Sequence, residues 1–510
     1  MPTATSGAGL NFDEAAHELP DGAFSAGLNV RFAEGWARRI EGHASALTAP
    51  SAAAYHVANY PTSSTNFWIH STLTGAYADD GTTQTDITGT ALSGAAGDRF
   101  TSCVLGGVYV QNNQVQVPMY WGGDTAQNLA TLTSYSSTWL STWRCKSMRA
   151  FKVYLLALNV TKDTTAYPSM VKWSHAAEPG TLPTSWDETD ATKDAGEQDL
   201  SETPDKVVDG LALGDTFIVY KERSAFGMQL TSDNNIFRFF RLPGDHGMLT
   251  PNCAVQFPGG HVVLGASDVV THSGGEPTSI LRGRMRKWLF GRIDGTYFAR
   301  SFLAANHARS EVWICYPTNG QTTCTEALIW NYADNTFGIR TLPNVTASAF
   351  GPLATSAVET WAADTDTWAD DDTTWDQSSV SAADRRVLMS STAPGLYLMD
   401  QSQKFAGTTF TSRIERTGMA FGDPSTTKLV RAVYPRIDAP TGSTVYVQVG
   451  GCQDAEQGVS WSTPVAYTVG SSYRVDTFAT GRFLGYRVYS DAARWRVKSM
   501  DFDVVPMGRY

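Results

Sequence analysis

Along most of this chain, apolar and polar residues alternate over short runs that are separated by turn residues. The clearest run is Val207 to Ser224, where Leu211, Leu213, Phe217 and Val219 alternate with Ala212, Gly214, Thr216 and Ile218 before closing on Lys221, Glu222 and Arg223. A period of two places alternate side chains on opposite faces of a pleated strand, and Gly210 and Gly214 break any 3.6-residue register. The charged triplet then reads as a surface cluster at the strand's exit. Similar units occupy 67–80, 102–121, 149–161, 168–174, 211–230, 259–274, 310–344 and 384–400. Their centres at Gly106, Leu156, Thr216, Val262 and Val312 lie 50, 60, 46 and 50 residues apart. That is the spacing of four-stranded propeller blades lengthened by insertions. Within 311–342 three strands are joined by an Asn319-Gly320 loop and an Asp334-Asn335 turn. No WD dipeptide or kelch pair marks the repeats, and the pattern predicts five to seven blades.

The texture changes at the ends. Residues 1–45 carry short apolar groups (Leu10 and Phe12; Leu28, Val30 and Phe32) between turn residues such as Pro20-Asp21-Gly22, and so read as an extended arm that cannot bury itself. After residue 411, evenly spaced alternating strands predict a separate β-sandwich over 411–510. The expected fold is therefore all-β: an arm at 1–45, a β-propeller-like domain at 46–410 with insertions at 175–206 and 359–380, and the sandwich. A length of 510 residues agrees with this, because a single non-repetitive core stops growing at about 250–300 residues. So does a charged fraction of only 17%, against about 25% in ordinary domains.

Charge changes the picture in three places. The net charge of −11 is concentrated in Trp186 to Asp205 and Glu359 to Asp376, each at −7, which leaves the remainder at about +3. Overall acidity therefore does not exclude a nucleic-acid partner. The third place is basic: Arg282, Arg284, Arg286, Lys287 and Arg292 occur within eleven residues that contain no acid. This stretch is a candidate contact for DNA phosphates or for an acidic partner surface. Its plainer reading is an amphipathic turn with Met285, Trp288 and Leu289 packed inward.

Candidate chemistry is sparse. In Trp361 to Asp376, tryptophan recurs every seventh residue between aspartates, and Asp364, Asp366, Asp370 and Asp372 supply enough oxygens for Ca²⁺. The glycine and terminal glutamate of an EF-hand loop are missing, so a solvated loop pinned by its tryptophans is the favoured reading. His246, His261 and His272 cluster in sequence, but histidines on strands are read as satisfied core groups rather than as metal ligands. The six cysteines show no ligand spacing and are expected to be buried thiols. No GxSxG, Walker, GxGxxG, HExxH or deaminase motif is present, so neither a catalytic residue nor a cofactor is assigned. The N-terminus lacks a basic and apolar leader and no long apolar run exists, so a soluble, cytosolically made chain without a membrane anchor is expected.

The order of segments from residue 10 to 376 resembles the tail nozzle proteins of short-tailed bacteriophages, also called tail tubular or packaged-DNA stabilisation proteins. The pieces that carry the resemblance are LNFDEAAHELPDGAFSAGLNVRFAEGWARRIEGH (10–43), MRAFKVYLLALNVTK (148–162), YPSMVKWSHAAEPGTLPTSWD (167–187), VVDGLALGDTFIVYKERSAF (207–226), LTPNCAVQFPGGHVVL (249–264), GRMRKWLF (283–290), EVWICYP (311–317) and ALIWNYADNTFGIRTLPNVTASAFG (327–351). The Trp/Asp repeat completes the set.

The resemblance implies a structural, non-enzymatic virion protein in the tail, made and assembled in the bacterial host cytoplasm. Six copies would form a ring below the head-to-tail adaptor, retain the packaged genome and conduct double-stranded DNA during ejection. Tail fibre, tailspike or tail-tip proteins would bind at the far end. A sliding wall should be poor in bases, because each base paired with a phosphate strengthens binding. Asp187, Glu188, Asp190, Asp370, Asp371 and Asp372 are therefore candidates for the channel or its mouth, and the basic stretch is expected to face a neighbouring protein. The arm is expected to reach a neighbouring subunit or the adaptor, so that loss of residues 2–40 would disturb assembly more than folding. The alternatives are a β-propeller glycosidase, which needs two carboxylates flanking a glycosidic bond, and a receptor-binding tail adhesin.

Overall fold

Val207 to Ser224 folds as a hairpin, with strand Val207–Leu213 turning at Gly214 and Asp215 into strand Thr216–Lys221. Gly214 has φ +58°, in the left-handed region where a side chain would be strained. Gly210 is required for a different reason: a Cβ there would lie 2.3 Å from the Phe217 ring. Strands Ala225–Leu230 and Phe237–Arg241 extend the hairpin into a four-stranded antiparallel meander.

The computed structural model describes residues 2–4, 8–231, 235–245, 247–353 and 385–509, and it repeats this meander around a ring. Blades 1, 2 and 3 begin with strands Ala54–Pro61, Thr101–Leu105 and Arg144–Phe151; the hairpin just described opens blade 4, and Ala254–Phe257 opens blade 5. Blade 6 consists of Phe302–Asn306, Glu311–Tyr316, Cys324–Asn331 and the first half of the long strand Thr336–Pro352. The second half of that strand opens blade 7, followed by Arg385–Ser391 and Gly395–Met399. The fourth strand of blade 7 is His43–Ser45, from the other end of the chain. First strands of all seven blades surround one axial cavity. The fold is a seven-bladed β-propeller closed by an N-terminal strand.

Apolar residues fill the gaps between neighbouring blades. Val57 and Trp68 of blade 1 pack on Leu388, Leu396 and Leu398 of blade 7, and the Trp68 indole and the Asn66 amide both donate to the Pro352 carbonyl. The first and last blades are thus joined by packing and by hydrogen bonds.

The C-terminal unit is a β-sandwich. One sheet contains Val475–Gly481, Thr426–Asp438 and Arg496–Arg509. The other contains Thr444–Cys452, Phe483–Ser490 and Ser412–Met419, with two short strands at one edge. No helix among the described residues is long and apolar enough to cross a membrane.

The described residues of the segment at 1–45, expected as an extended arm, are built into this body. Strand Ala26–Leu28 adds to the sandwich beside Ser412–Met419. The hairpin Val30–Ala33 and Trp36–Arg39 pairs with the propeller at Ile339 on one side and with the sandwich at Arg496 and Val497 on the other. One 13-stranded sheet therefore runs from blade 6 through the N-terminal hairpin into the sandwich. Leu10, Phe24, Val30 and Phe32 are buried in the same apolar cluster as Ile314, Leu328, Ile414 and Val430. The segment cannot bury itself, and the propeller and sandwich bury it between them.

A cluster of buried charges sits at this junction. Arg31 of the N-terminal hairpin donates to Asp400 at 2.6 Å and lies 3.6–3.7 Å from Glu311 and Glu41. Arg340 donates to the same Asp400 oxygen at 2.5 Å, and Arg309 approaches both Asp400 and Glu41 at 3.2–3.3 Å. Three guanidiniums thus meet three carboxylates drawn from the N-terminal segment, blade 6 and the end of blade 7. Burial alone would raise the pKa of Asp400, but Arg31, Arg340 and Arg309 outweigh it and hold the carboxyl well below the ordinary range. Removing one member leaves buried charge uncompensated. Asp400→Ala is therefore expected to lower unfolding stability by about 3–5 kcal/mol in urea titrations; a change below about 1 kcal/mol would show that the cluster contributes little.

Candidate functional site

The axial cavity is where all seven blades converge. It encloses about 340 Å³ and is lined by, among others, His56, Asn59, Ser102, Tyr109, Phe302 and Ser348. One side is crossed by an ion pair: the Arg149 guanidinium, on the first strand of blade 3, donates through Nε and Nη2 to the Asp209 carboxylate of blade 4 at 2.8 and 2.5 Å. The Ser147 hydroxyl and the backbone N–H groups of Gly210 and Asn252 also donate to Asp209. Asn252, from blade 5, accepts from Arg149 at 2.8 Å and donates to the Phe100 carbonyl at 2.8 Å. Blades 2 to 5 are tied together at the axis, and every oxygen of Asp209 is engaged. His56 donates to or accepts from the Tyr109 hydroxyl at 3.0 Å. Burial, followed by the Arg149 and Arg99 charges, pushes its pKa down to about 3, so the ring is neutral.

The basic stretch serves the chain's own N-terminus. Its second half is the short helix Arg286–Arg292, with Met285 and Leu289 buried. The Asp13 carboxylate accepts from the Lys287 and Trp288 backbone N–H groups, and Trp288 packs edge-on against Phe12 at 4.9 Å. Arg284 donates to the Ala8 and Asn335 carbonyls, Arg286 to the Ser267 carbonyl, and Arg292 forms a forked pair with Glu326 at 2.7 and 2.8 Å. Arg282, Arg286 and Lys287 are exposed, and of these Arg286 alone has its side chain engaged by the described residues.

The acidic insertion is likewise drawn into the fold. Glu188 and Glu197 both pair with Lys162 and Lys172, at 2.5–3.1 Å, and strand Gly196–Asp199 forms the outer edge of blade 3. Trp186 is fully buried against Trp139 at 4.8 Å. Glu188 is therefore a neutralised structural group rather than a free wall charge. Asp187 and Asp190 are half-buried, each accepting from a threonine two residues on. Asp364, Asp366, Asp370, Asp371, Asp372 and His246 lie outside the described residues.

Lys221 departs from the sequence reading. It is buried, not part of a surface cluster, and its ammonium donates to the Leu200 and Thr203 carbonyls and the Thr203 hydroxyl, with Asp205 at 3.4 Å. The acidic insertion supplies these acceptors.

His261 and His272 face each other across a strand pair of blade 5 and sandwich the Tyr220 hydroxyl, 2.7 Å from each. His261 Nε2 must donate to the Ala212 carbonyl, and His272 Nδ1 must accept from the Gly274 N–H. Both tautomers follow: Tyr220 donates to His261 and accepts from His272. These histidines form a closed hydrogen-bond chain between blades 4 and 5. Among the described residues, no group of three or more His, Cys, Asp or Glu is placed to hold a metal ion. The cysteines are free thiols, buried except for Cys103, which is half-buried.

Sequence reasoning did not single out Arg149, Asp209 or Asn252, because they are separated by 43–60 residues and carry no local motif. The usable signal was a charged residue inside an apolar strand: Asp209 stands two residues after Val207 in the clearest run of all.

Comparison with known proteins adds little to this geometry. No family model matches the sequence, and no curated protein matches it. Among solved structures, the computationally designed Ika8 protein aligns at 8% identity over 69% of this chain and 98% of its own, with a TM-score of 0.36. A structure of YCF48 bound to D1 peptide aligns at 10% identity over 69% of this chain and 93% of its own, also with a TM-score of 0.36. Neither likeness bears on function.

The Tyr220 bridge provides a direct test of the hydrogen-bond chain. Tyr220→Phe removes a donor to His261 and an acceptor from His272, and is expected to destabilise the protein by about 2–4 kcal/mol in chemical unfolding. An effect within about 0.5 kcal/mol of zero would mean that the two imidazoles find other partners.

Proposed function

We propose that the protein is a structural component of a short bacteriophage tail: a nozzle subunit that forms a ring below the head-to-tail adaptor. In this reading the ring is a homohexamer that retains the packaged genome, conducts double-stranded DNA during ejection and carries tail fibre, tailspike or tail-tip proteins. The observation that carries the proposal is the ordered set of segments through which the sequence resembles tail nozzle proteins, spread over more than half the chain.

The geometry supports the reading in two ways. The propeller's own axis is crossed by the Arg149–Asp209 pair and encloses only about 340 Å³. A passage for a duplex would therefore lie between subunits, as a ring requires, through a heterologous interface. The N-terminal strands also bind propeller and sandwich into one body, which suits a part that must hold against internal pressure. Of the acids singled out in the sequence as channel candidates, Asp187 and Asp190 are described and have no salt-bridge partner among the described residues, and they are the ones available to face such a channel. Within the basic stretch, Arg282 and Lys287 are the bases left for a neighbouring protein, since Arg284, Arg286 and Arg292 are engaged within the chain.

No specific observation favours the alternatives. Asp209 is the one carboxylate among the described residues that line the axial cavity, where a glycosidase would need a pair.

Electron microscopy of the purified protein, with its mass in solution, tests the proposal. The expected result is six-fold rings with a central hole, formed by the protein alone or on addition of the adaptor. A protein that stays monomeric under both conditions and releases sugars from glycans would contradict it.

A further inference from the structure

Eight cations are buried among the described residues, and seven of them are compensated. Arg31, Arg340, Lys172 and Lys221 meet carboxylates. Arg39, Arg416 and Lys428 each donate to three backbone carbonyls. The eighth, Arg99, lies just before the first strand of blade 2, is 8% exposed and lines the axial cavity. Its one hydrogen bond is a long one, from Nη1 to the Thr346 carbonyl at 3.4 Å, and its Nε has no partner. The groups that influence it most, after burial itself, are the thiols of Cys324 and Cys253 and the Arg300 cation. No carboxylate among the described residues lies within ion-pair distance. A guanidinium cannot shed its charge as a lysine can, so it requires an anion or several strong acceptors.

We propose that the axial cavity binds a small organic monocarboxylate whose carboxylate pairs with Arg99. The planar guanidinium fork matches a carboxylate in two parallel hydrogen bonds. One negative charge suffices, because Asp209 is already matched by Arg149 and its oxygens are engaged. A dianion such as phosphate would bring an excess charge into a site that already holds a carboxylate. The cavity suits the rest of the ligand: its volume lies at the lower end of the range for small-molecule sites. Phe302, Leu303, Val255, Ala347 and Ala349 offer an apolar wall for a short aliphatic body. Val104, on the lining, is 40% exposed.

Thermal unfolding of the full chain tests this. The probe is sodium hexanoate, compared with sodium chloride and sodium phosphate at equal ionic strength and with hexan-1-ol. Hexanoate is expected to raise the unfolding midpoint with saturable dependence, while the other three leave it unchanged within error. Arg99→Met should abolish the hexanoate response and, without ligand, unfold at or above the wild-type midpoint, because an uncompensated charge has been removed. Should Arg99→Met not fold, Arg99→Gln decides on the same criterion. The proposal is overturned if hexanoate leaves the wild type unchanged, if chloride, phosphate or hexanol act as strongly, or if the response survives the loss of Arg99.

Discussion

A ring of sheets can open between its first and last blades, and the rest of this structure depends on how that seam is closed. His43–Ser45 supplies the outer strand of blade 7, so the chain's beginning and residue 399 share one sheet. Behind the seam, Arg31, Arg309 and Arg340 converge on Asp400 and its neighbouring glutamates. The attraction between these groups is strong only because they are buried together, and burial makes each of them costly alone. One N-terminal segment completes the propeller through His43–Ser45, fills an apolar cleft through Leu10, Phe24, Val30 and Phe32, and joins the sandwich through Ala26–Leu28. Closure of the ring and attachment of the second domain are consequently one event.

In the described acidic insertion and in the basic stretch, much of the charge is used inward. The acids of the 175–206 insertion neutralise Lys162, Lys172 and Lys221, and the basic turn at 282–292 grips residues 8–14. The charge total of a single sequence segment therefore overstates the local field that its surface presents. For the nozzle reading this reduces the candidates within those two stretches to Asp187, Asp190, Arg282 and Lys287 among the described residues. A smooth wall need not be strongly acidic; it needs only to lack free bases.

The periodicity of two and the roughly 50-residue spacing made the propeller and the sandwich legible, because both patterns are local. The clearest stretch, Val207 to Ser224, was legible as pleated sheet but not as a hairpin, since Gly214 could equally mark a bulge. What could not be read was long-range pairing. Leu10, Phe24, Val30 and Phe32 signalled burial without naming a partner, and the partner lies some 300 to 400 residues away. Lys221 looked like a surface charge because its acceptors at Leu200 and Thr203 belong to a loop rather than to its own sheet. The axial groups Arg149, Asp209 and Asn252 are each unremarkable alone and acquire meaning only where three blades meet.

Calorimetry on a chain that begins at residue 46, set beside the full chain, tests this account most directly. If the N-terminal segment closes the ring and joins the domains, the full chain unfolds in one cooperative transition. The shortened chain then loses that transition and exposes strands 385–399 to hydrogen exchange. A shortened chain with the same midpoint and the same protection would contradict the account and leave the segment as an extended arm that the fold does not need.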